Sequence, residues 1–409
     1  MEIISEDKLK CDSMSLSNFT DSEGSEYKVR RATYGDMASI LQLYTSAYDG
    51  TYPDPTFTDV SLLRNAILGN KTDIYVATNE LGKVVASILF KYDAENLLGK
   101  AGAAVVDPIC RGKKLTQKLI KFGIKDINER TNGLDVIYVT SRTVHKAAQI
   151  LTLKMGFKQI GIFPNVHKTK DYETHALAAM HFNNSLSKRY VEFEQHPKVL
   201  PLYNIVRENI TLPEMKEAEL WDKKNYSGEV PTLEVIEAPE FVKNRMKNLV
   251  SKNEVDLAFF PFHTPTLLIT SPSQNIEVFA YVNKLDQHCV ITGVTIDREV
   301  SFKDLFLKVS NILRDRGIRY IEVIIRANRL NIIDKISNAK FLPCGYFPAF
   351  QLEKNQRYDY VVFSRSYEIL DFENIDLTPS NEKYLKNYIN LWEDTFLGSH
   401  FKNQDKNED

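Results

Sequence analysis

Arg111, Gly112, Lys113 and Lys114 stand where chemistry can be done, inside the stretch AAVVDPICRGKKLTQKLIKFGI that begins at Ala103. An apolar run ends at Pro108, a basic turn follows, and a helical pattern starts near Leu115. The first N–H groups of a helix have no intrahelical partner and carry about half a positive charge, so such an end attracts phosphate. The arginine and the two lysines add full charges, and Gly112 lets the backbone come close to a ligand. These residues predict a pyrophosphate held on the amides of Arg111 to Thr116. A solvated basic turn that only joins strand to helix is the other reading, because one glycine is a weak signal.

The elements that must hold this turn are legible around it. YKVRRA reads as a short strand, and DMASILQLY as a helix with Asp36 as N-cap and Met37, Ile40, Leu41 and Tyr44 on one face. Gly50, Pro53 and Pro55 keep the next stretch irregular, and a second helix ends near Gly69. DIYVAT, KVVASILFKY and AGAAVV are strands. The helix after the basic turn has two apolar stripes, Leu115, Leu119, Phe122 and Ile120, Ile124, Ile127, so a wide face is buried. LDVIYVTS is a central strand, a helix runs from His145 to a stop at Gly156, and FKQIGIF and HALAAMHF are strands. The order over residues 27–182 is β-α-α-β-β-β-α-β-α-β-β.

Residues 1–26, polar and acidic, read as a disordered leader. Residues 183–235, with four prolines, read as a connector containing some helix. Residues 236–366 look like a worn copy of the first half. Phe157, Gly161, Phe163 and Pro164 match Phe341, Gly345, Phe347 and Pro348 at one constant offset, inside a similar order of elements. The copy has DREVSFKDL where the first half has its basic turn, so it offers acids in place of an anion site. Residues 367–409 add one helix and a charged tail read as disordered.

Three stretches, VRRATYGDMASILQLY, AAVVDPICRGKKLTQKLI and HKAAQILTLKMGFKQIGIF, resemble successive landmarks of the GNAT superfamily of N-acetyltransferases, in that family's order. The likeness covers residues 27–182. The family turn is Val-x-Pro-x-x-Arg-x-x-Gly-x-Gly or Ala; this chain has Val106, Pro108 and Arg111, but Lys114 and Thr116 at the two small positions. The resemblance implies an α/β (α+β mixed) GNAT fold, a central and mostly antiparallel sheet flanked by helices, here duplicated. It also implies acyl transfer from acetyl-CoA, or a longer acyl-CoA, to an amine of a small molecule or peptide. YDGTYPDP and the stretch from Gly161 to Phe182 are loosely similar to the branch that acetylates β-lysine.

On the family pattern, Val105 and Val106 pair with the pantetheine arm, and the Val106 N–H polarises the thioester carbonyl. Arg111, Gly112, Lys113, Lys114, Leu115 and Thr116 hold the pyrophosphate. His145 stands where the family often has a cofactor-facing asparagine; capping its helix is the competing reading. Asp107, His145, Glu173 and His175 are the candidate bases, an exposed amine needing one because its pKa is about 10.4. Asp107 reads equally as a turn residue, and Glu173 with His175 as a hairpin end. Tyr48 and Tyr52, in the loop that covers the acceptor in this family, Tyr138 and His175 are candidate acceptor contacts. The tyrosine general acid common in the family is Thr152 here, a far poorer acid.

Bulk properties narrow the classes. A net charge of −2 gives no basic field for nucleic acid. Four scattered cysteines, with no CxxC pair, argue against a metal site and for a reducing, cytoplasmic setting. No apolar run is long enough to span a bilayer. A rival class remains: a non-catalytic tandem protein that senses acyl-CoA or docks a partner. In either class a duplicated second half without cofactor binding serves as scaffold, pocket wall or homodimer surface.

Overall fold

The computed structural model describes residues 16–50, 52–69, 71–169, 171–220, 228–296 and 300–398. Two compact units emerge, one of residues 1–140 with 180–183, the other of residues 141–179 with 184–409.

The first unit holds β1 (Ser17–Thr20), β2 (Glu26–Arg31), α1 (Met37–Tyr48), α2 (Val60–Leu68), β3 (Thr72–Thr78), β4 (Val84–Asp93), β5 (Leu98–Val106), α3 (Leu115–Arg130) and β6 (Val136–Arg142), whose last two residues belong to the second unit. The strands pair in chain order. Every pair is antiparallel except β5 with β6, and that parallel pair needs the crossover that α3 supplies. β4 is buried on both faces along Val84–Phe90, so helices must cover both sides. Alternation sorts them: Ile74, Val76, Leu89 and Val105 pack with α1 and α2. Tyr75 and Phe90 face α3, where a Cβ on Gly123 would lie 2.7 Å from the Phe90 ring.

The leader reading fails from Ser17 onward. Residues 17–26 form β1 and a turn in which the Asp21 carboxylate accepts from the Glu23 and Ser25 amides. Asp36 precedes α1 without capping it; its carboxylate turns back to Arg30 (2.6 Å) and to the Thr33 amide (2.7 Å).

The second unit holds α4 (Lys146–Lys154), β7 (Lys158–Lys168), β8 (Tyr172–His181), α5 (Leu200–Ile210), β9 (Glu234–Ile236), α6 (Pro239–Ser251), β10 (Leu267–Thr270), β11 (Glu277–Asn283), β12 (His288–Thr295), α7 (Phe302–Asp315), β13 (Tyr320–Arg326), α8 (Leu330–Asn338), β14 (Leu342–Glu353), β15 (Gln356–Ser366) and α9 (Pro379–Phe396). Its strand order is β8-β7-β14-β15-β13-β12-β11-β10-β9. Again one pair, β12 with β13, is parallel, and a helix, α7, bridges it. The charged tail expected at KNQDKNED lies outside the described residues.

β7 meets β14 at Gly161 and Gly345, the two glycines that share a position in the repeated pattern. A Cβ on Gly161 would sit 2.5 Å from the Cys344 carbonyl oxygen, so only glycine allows this backbone approach. Within the expected connector, residues 184–220 are docked on the second unit. Arg189 pairs with Asp359 where both are almost fully buried, and α5 sends Asn209 to the Gln159 carbonyl (3.2 Å) and stacks Tyr203 edge-on against Tyr346. Gly161→Ala is expected to cost about 1–3 kcal/mol through strand separation. Gly345→Ala, which meets only the Leu177 and Phe163 side chains, should cost less. Denaturant midpoints of the two variants check the order.

Candidate active site

The end of β5 stays paired with β4 but, among the described residues, has no partner on its β6 side. Its pairing with β6 runs from Leu98↔Val136 to Ala101↔Val139 and stops. From Gly102 to Val106 that edge is open. The Asp107 N–H donates to the Val85 carbonyl of β4 at 2.8 Å. Amides alternate between strand edges, so Val105 turns its N–H toward β4 and Val106 turns its own toward the open edge. This separates the two valines: the Val105 side chain is buried with α1, and its amide does not face the gap. A bulge accompanies the opening. Ala103 has φ 53°, and its carbonyl accepts from the Tyr44 hydroxyl. Tyr44 stacks on Phe57 at 3.8 Å and meets Tyr52, which in turn meets Tyr48. Tyr48 and Tyr52 thus form a half-buried aromatic wall packed, like Ala103, against the Val105 cluster.

The turn after β5 presents amides. Asp107 caps the 3-10 turn Pro108–Cys110 by accepting from Ile109 N (3.1 Å), and it pairs with Lys83 (3.3 Å). Those partners make it a turn residue. Gly112 has φ 82° and Lys114 has φ 61°, and left-handed residues at this spacing curl successive N–H groups into a concave nest. The first α3 bond is Lys118 N to Lys114 O, 3.1 Å. Among the described residues no acceptor takes the amides of Gly112 through Gln117, and no side chain caps α3. Leu115 buries its side chain while its amide stays at the helix mouth; Thr116 is half-buried. Arg111 and Lys114 are exposed. Lys113 is not available in the same way: its ammonium lies 3.1 Å from Asp21 and 3.0 Å from Glu23, both in the β1–β2 turn. Tyr138, on β6, is buried with Lys100 over its ring at 5.6 Å.

The second unit carries the remaining candidates. Glu173 lies within β8, both carboxylate oxygens 2.6 Å from the Arg142 guanidinium, with Thr169 donating as well. Burial alone would raise its pKa; hydrogen bonds from His175, Arg142 and Thr169 outweigh it and hold the carboxyl well below the usual range. A group held so firmly as an anion is a poor base at neutral pH. Burial pushes His175 down to about 4, so it is neutral above that, with Nδ1 buried and unpartnered. His145 is exposed at the start of α4 without capping it. Asp376 does that work, accepting from the Lys146 amide at 3.3 Å. Thr152 is buried and donates to the Gln149 carbonyl at 2.8 Å, so it offers no acid.

Residues 37–157 match the Acetyltransferase (GNAT) family. The chain therefore carries a GNAT acetyltransferase domain. The chain is also similar to solved structures: a GNAT superfamily phosphinothricin acetyltransferase from Sinorhizobium meliloti, in complex with AcCoA, at 18% identity over 38% of this chain and 88% of that one, TM-score 0.34. A ribosomal-protein-S5-alanine acetyltransferase from Vibrio fischeri is 14% identical over 41% and 98%, TM-score 0.35. An N-acetyltransferase from Staphylococcus aureus Mu50 is 19% identical over 38% and 98%, TM-score 0.33. No curated protein matches the chain.

The backbone of the turn shows what the departure at Lys114 costs. Lys114 occupies a left-handed position, where glycine is the unstrained choice and any other residue carries about 1–2 kcal/mol of strain. Sequence reasoning missed two partnerships: Asp21 and Glu23 with Lys113, and Asp286 with His167, at 2.6 Å. The stretch NVHK carried a signal for His167; nothing local marked its partner.

Stability should fall with acid in a defined window. His175 and His196 are both held down to about 4 by burial, against about 6.5 unfolded. Between those values the unfolded chain binds more protons, so unfolding free energy rises with pH, by at most about 1.4 kcal/mol per unit for each group. Glu173, with its depressed pKa, adds to the loss in the same direction at the acid end. Denaturation from pH 4 to 7 checks this, and His196→Phe should flatten the slope.

Proposed function

We propose that this protein is an acyl-CoA-dependent N-acyltransferase, most simply an N-acetyltransferase, acting on an amine of a small molecule or peptide, with its donor site in the first unit. The observation that carries the reading is the run of unpartnered amides from Gly112 to Gln117 beside the open β5 edge at Val106. The residues present fit an acyl-CoA. The amide nest and Arg111 with Lys114 suit a pyrophosphate, the unpaired strand edge suits an amide-bearing arm added as a strand, and the Val106 N–H suits a developing oxyanion. When bound, acetyl-CoA supplies the activated acyl group. This chain's residues bind, orient and polarise it. The free acceptor amine must first lose a proton.

The second half reads as a duplicated GNAT fold that has lost donor binding. Support comes from the repeated order of elements, the repeated parallel pair, and the self-matching contact of Gly161 with Gly345. At the corresponding helix, α7, the Ser301 side chain accepts from the Asp304 amide at 3.3 Å, and Asp304 adds a negative charge. A side chain thus occupies one of the amides at that helix mouth.

Arg111→Glu with Lys114→Glu should weaken coenzyme A binding by about tenfold to a hundredfold for each charge-assisted hydrogen bond removed, at roughly 1.5–3 kcal/mol per bond. Lys113→Ala should leave affinity within about threefold, because Asp21 and Glu23 already hold that charge. Calorimetry measures both; equal effects, or none from the double reversal, would remove the phosphate site. Thiol release from acetyl-CoA across a panel of amines then separates a transferase from a sensor. Release only when an amine is present supports transfer.

A further inference from the structure

Several cations at the mouth of the donor site already have partners, all within the first unit. Lys83 pairs with Asp107. Lys118, in the first turn of α3, holds its ammonium 4.4 Å over the Phe19 ring of β1, where the face of the ring attracts the charge. Lys113 stands between the two left-handed residues of the nest, its ammonium 3.1 Å from Asp21 and 3.0 Å from Glu23. Arg111 and Lys114 remain exposed. Two of the engaged cations thus lead to one element. β1 is a four-residue strand at the edge of the sheet, held by β2. Phe19 stacks on Tyr27 at 6.0 Å. One oxygen of Asp21 locks the turn by accepting from the Glu23 and Ser25 amides, and the other is left for Lys113. The Asp21 side chain is 2% exposed and that of Glu23 72%. Glu23 and Asp21 together hold the Lys113 pKa above the usual lysine range. Two carboxylates on one ammonium leave a negative charge in surplus, beside a run of amides suited to an anion.

We infer that the β1–β2 turn is an intramolecular competitor of the donor's diphosphate: Asp21 and Glu23 hold Lys113 in the free protein, and a bound diphosphate draws that ammonium away. This rests on the acyl-CoA reading above. Carboxylate and phosphate oxygens compete for the same donor, because an ionised carboxylate only accepts. A lysine ammonium is a compact charge on a flexible stem, so it passes from one anion to the other without a change in the main chain. A diphosphate seated on the nest attracts Lys113 and repels the surplus carboxylate. In the intact chain the contact Lys113 gains with phosphate is offset by the contacts it gives up. Neutralising the two acids removes that loss and keeps the gain. The strap therefore holds donor affinity below what the charges of the turn would give alone, and it is an autoinhibitory contact. Its position suits release, since β1 is short, lies at an edge, and carries Glu23 in solvent.

The test uses the full chain and calorimetry, with coenzyme A and inorganic pyrophosphate as the two probes. Glu23→Gln should tighten coenzyme A binding about threefold, and Asp21→Asn with Glu23→Gln about tenfold. In that double variant Lys113→Ala should cost about tenfold, against less than about threefold in the wild-type background; the cycle reads the coupling between the acids and the lysine. The gain should fade near 1 M salt, where the screening length is about 3 Å. Asp21 also locks its turn, so Glu23→Gln, a change at an exposed side chain, carries the test alone if the double variant folds poorly. An unchanged affinity in Glu23→Gln, or equal costs of Lys113→Ala in the two backgrounds, overturns the strap while the donor site stands. A wild-type chain that binds neither coenzyme A nor pyrophosphate overturns both.

Discussion

Main-chain polarity left without a partner between β5 and α3 is the constraint on which the rest of the structure bears. A buried or half-buried amide without an acceptor is costly, and folded chains rarely leave one so. Here half-buried Val106 stands at an open edge, and the amides of Gly112 to Gln117, some exposed and some not, find no acceptor among the described residues. Several features keep them open. The bulge at Ala103, tied down by the Tyr44 hydroxyl, releases the strand edge. Asp107 caps the short turn and Lys114 adopts a left-handed backbone, so the curl is maintained without a side chain closing it. The two-sided burial of β4 gives the rigid backing that such unfilled geometry requires.

The two helices that bridge the parallel strand pairs, α3 and α7, begin in opposite ways. At α3 the helix mouth is uncapped and flanked by exposed Arg111 and Lys114; at α7 a serine closes it and an aspartate follows. A capped helix end contributes about 1 kcal/mol of stability, and a bare one keeps its donors for a ligand. The second half has the stable choice, the first the receptive one. The contact of Gly161 with Gly345 shows how closely the strands of the second unit must approach to share one sheet.

Local pattern makes much of this legible. The strand-turn-helix at Ala103–Ile124 follows from an apolar run, a proline and a change of period, and the same signals mark the elements of both halves. What escapes the sequence depends on partners far along the chain. Nothing near Lys113 announces that Asp21 and Glu23 will take its charge, and nothing near His167 announces Asp286, 119 residues away. Asp107, His145 and Glu173 are plausible bases by residue type; their partners, visible only in three dimensions, give them other work or none. Residues 17–26 resemble a leader because a four-residue edge strand with polar neighbours has almost no periodic signal, yet the β1–β2 turn is stitched by Asp21.

Amide hydrogen exchange with and without coenzyme A tests the central claim most directly. Val106 and Gly112 to Gln117 should exchange fast in the free protein and slow sharply on addition of coenzyme A, with the β4 amides unchanged. Amides in this segment already protected without ligand, or rates that coenzyme A leaves untouched, would contradict the account.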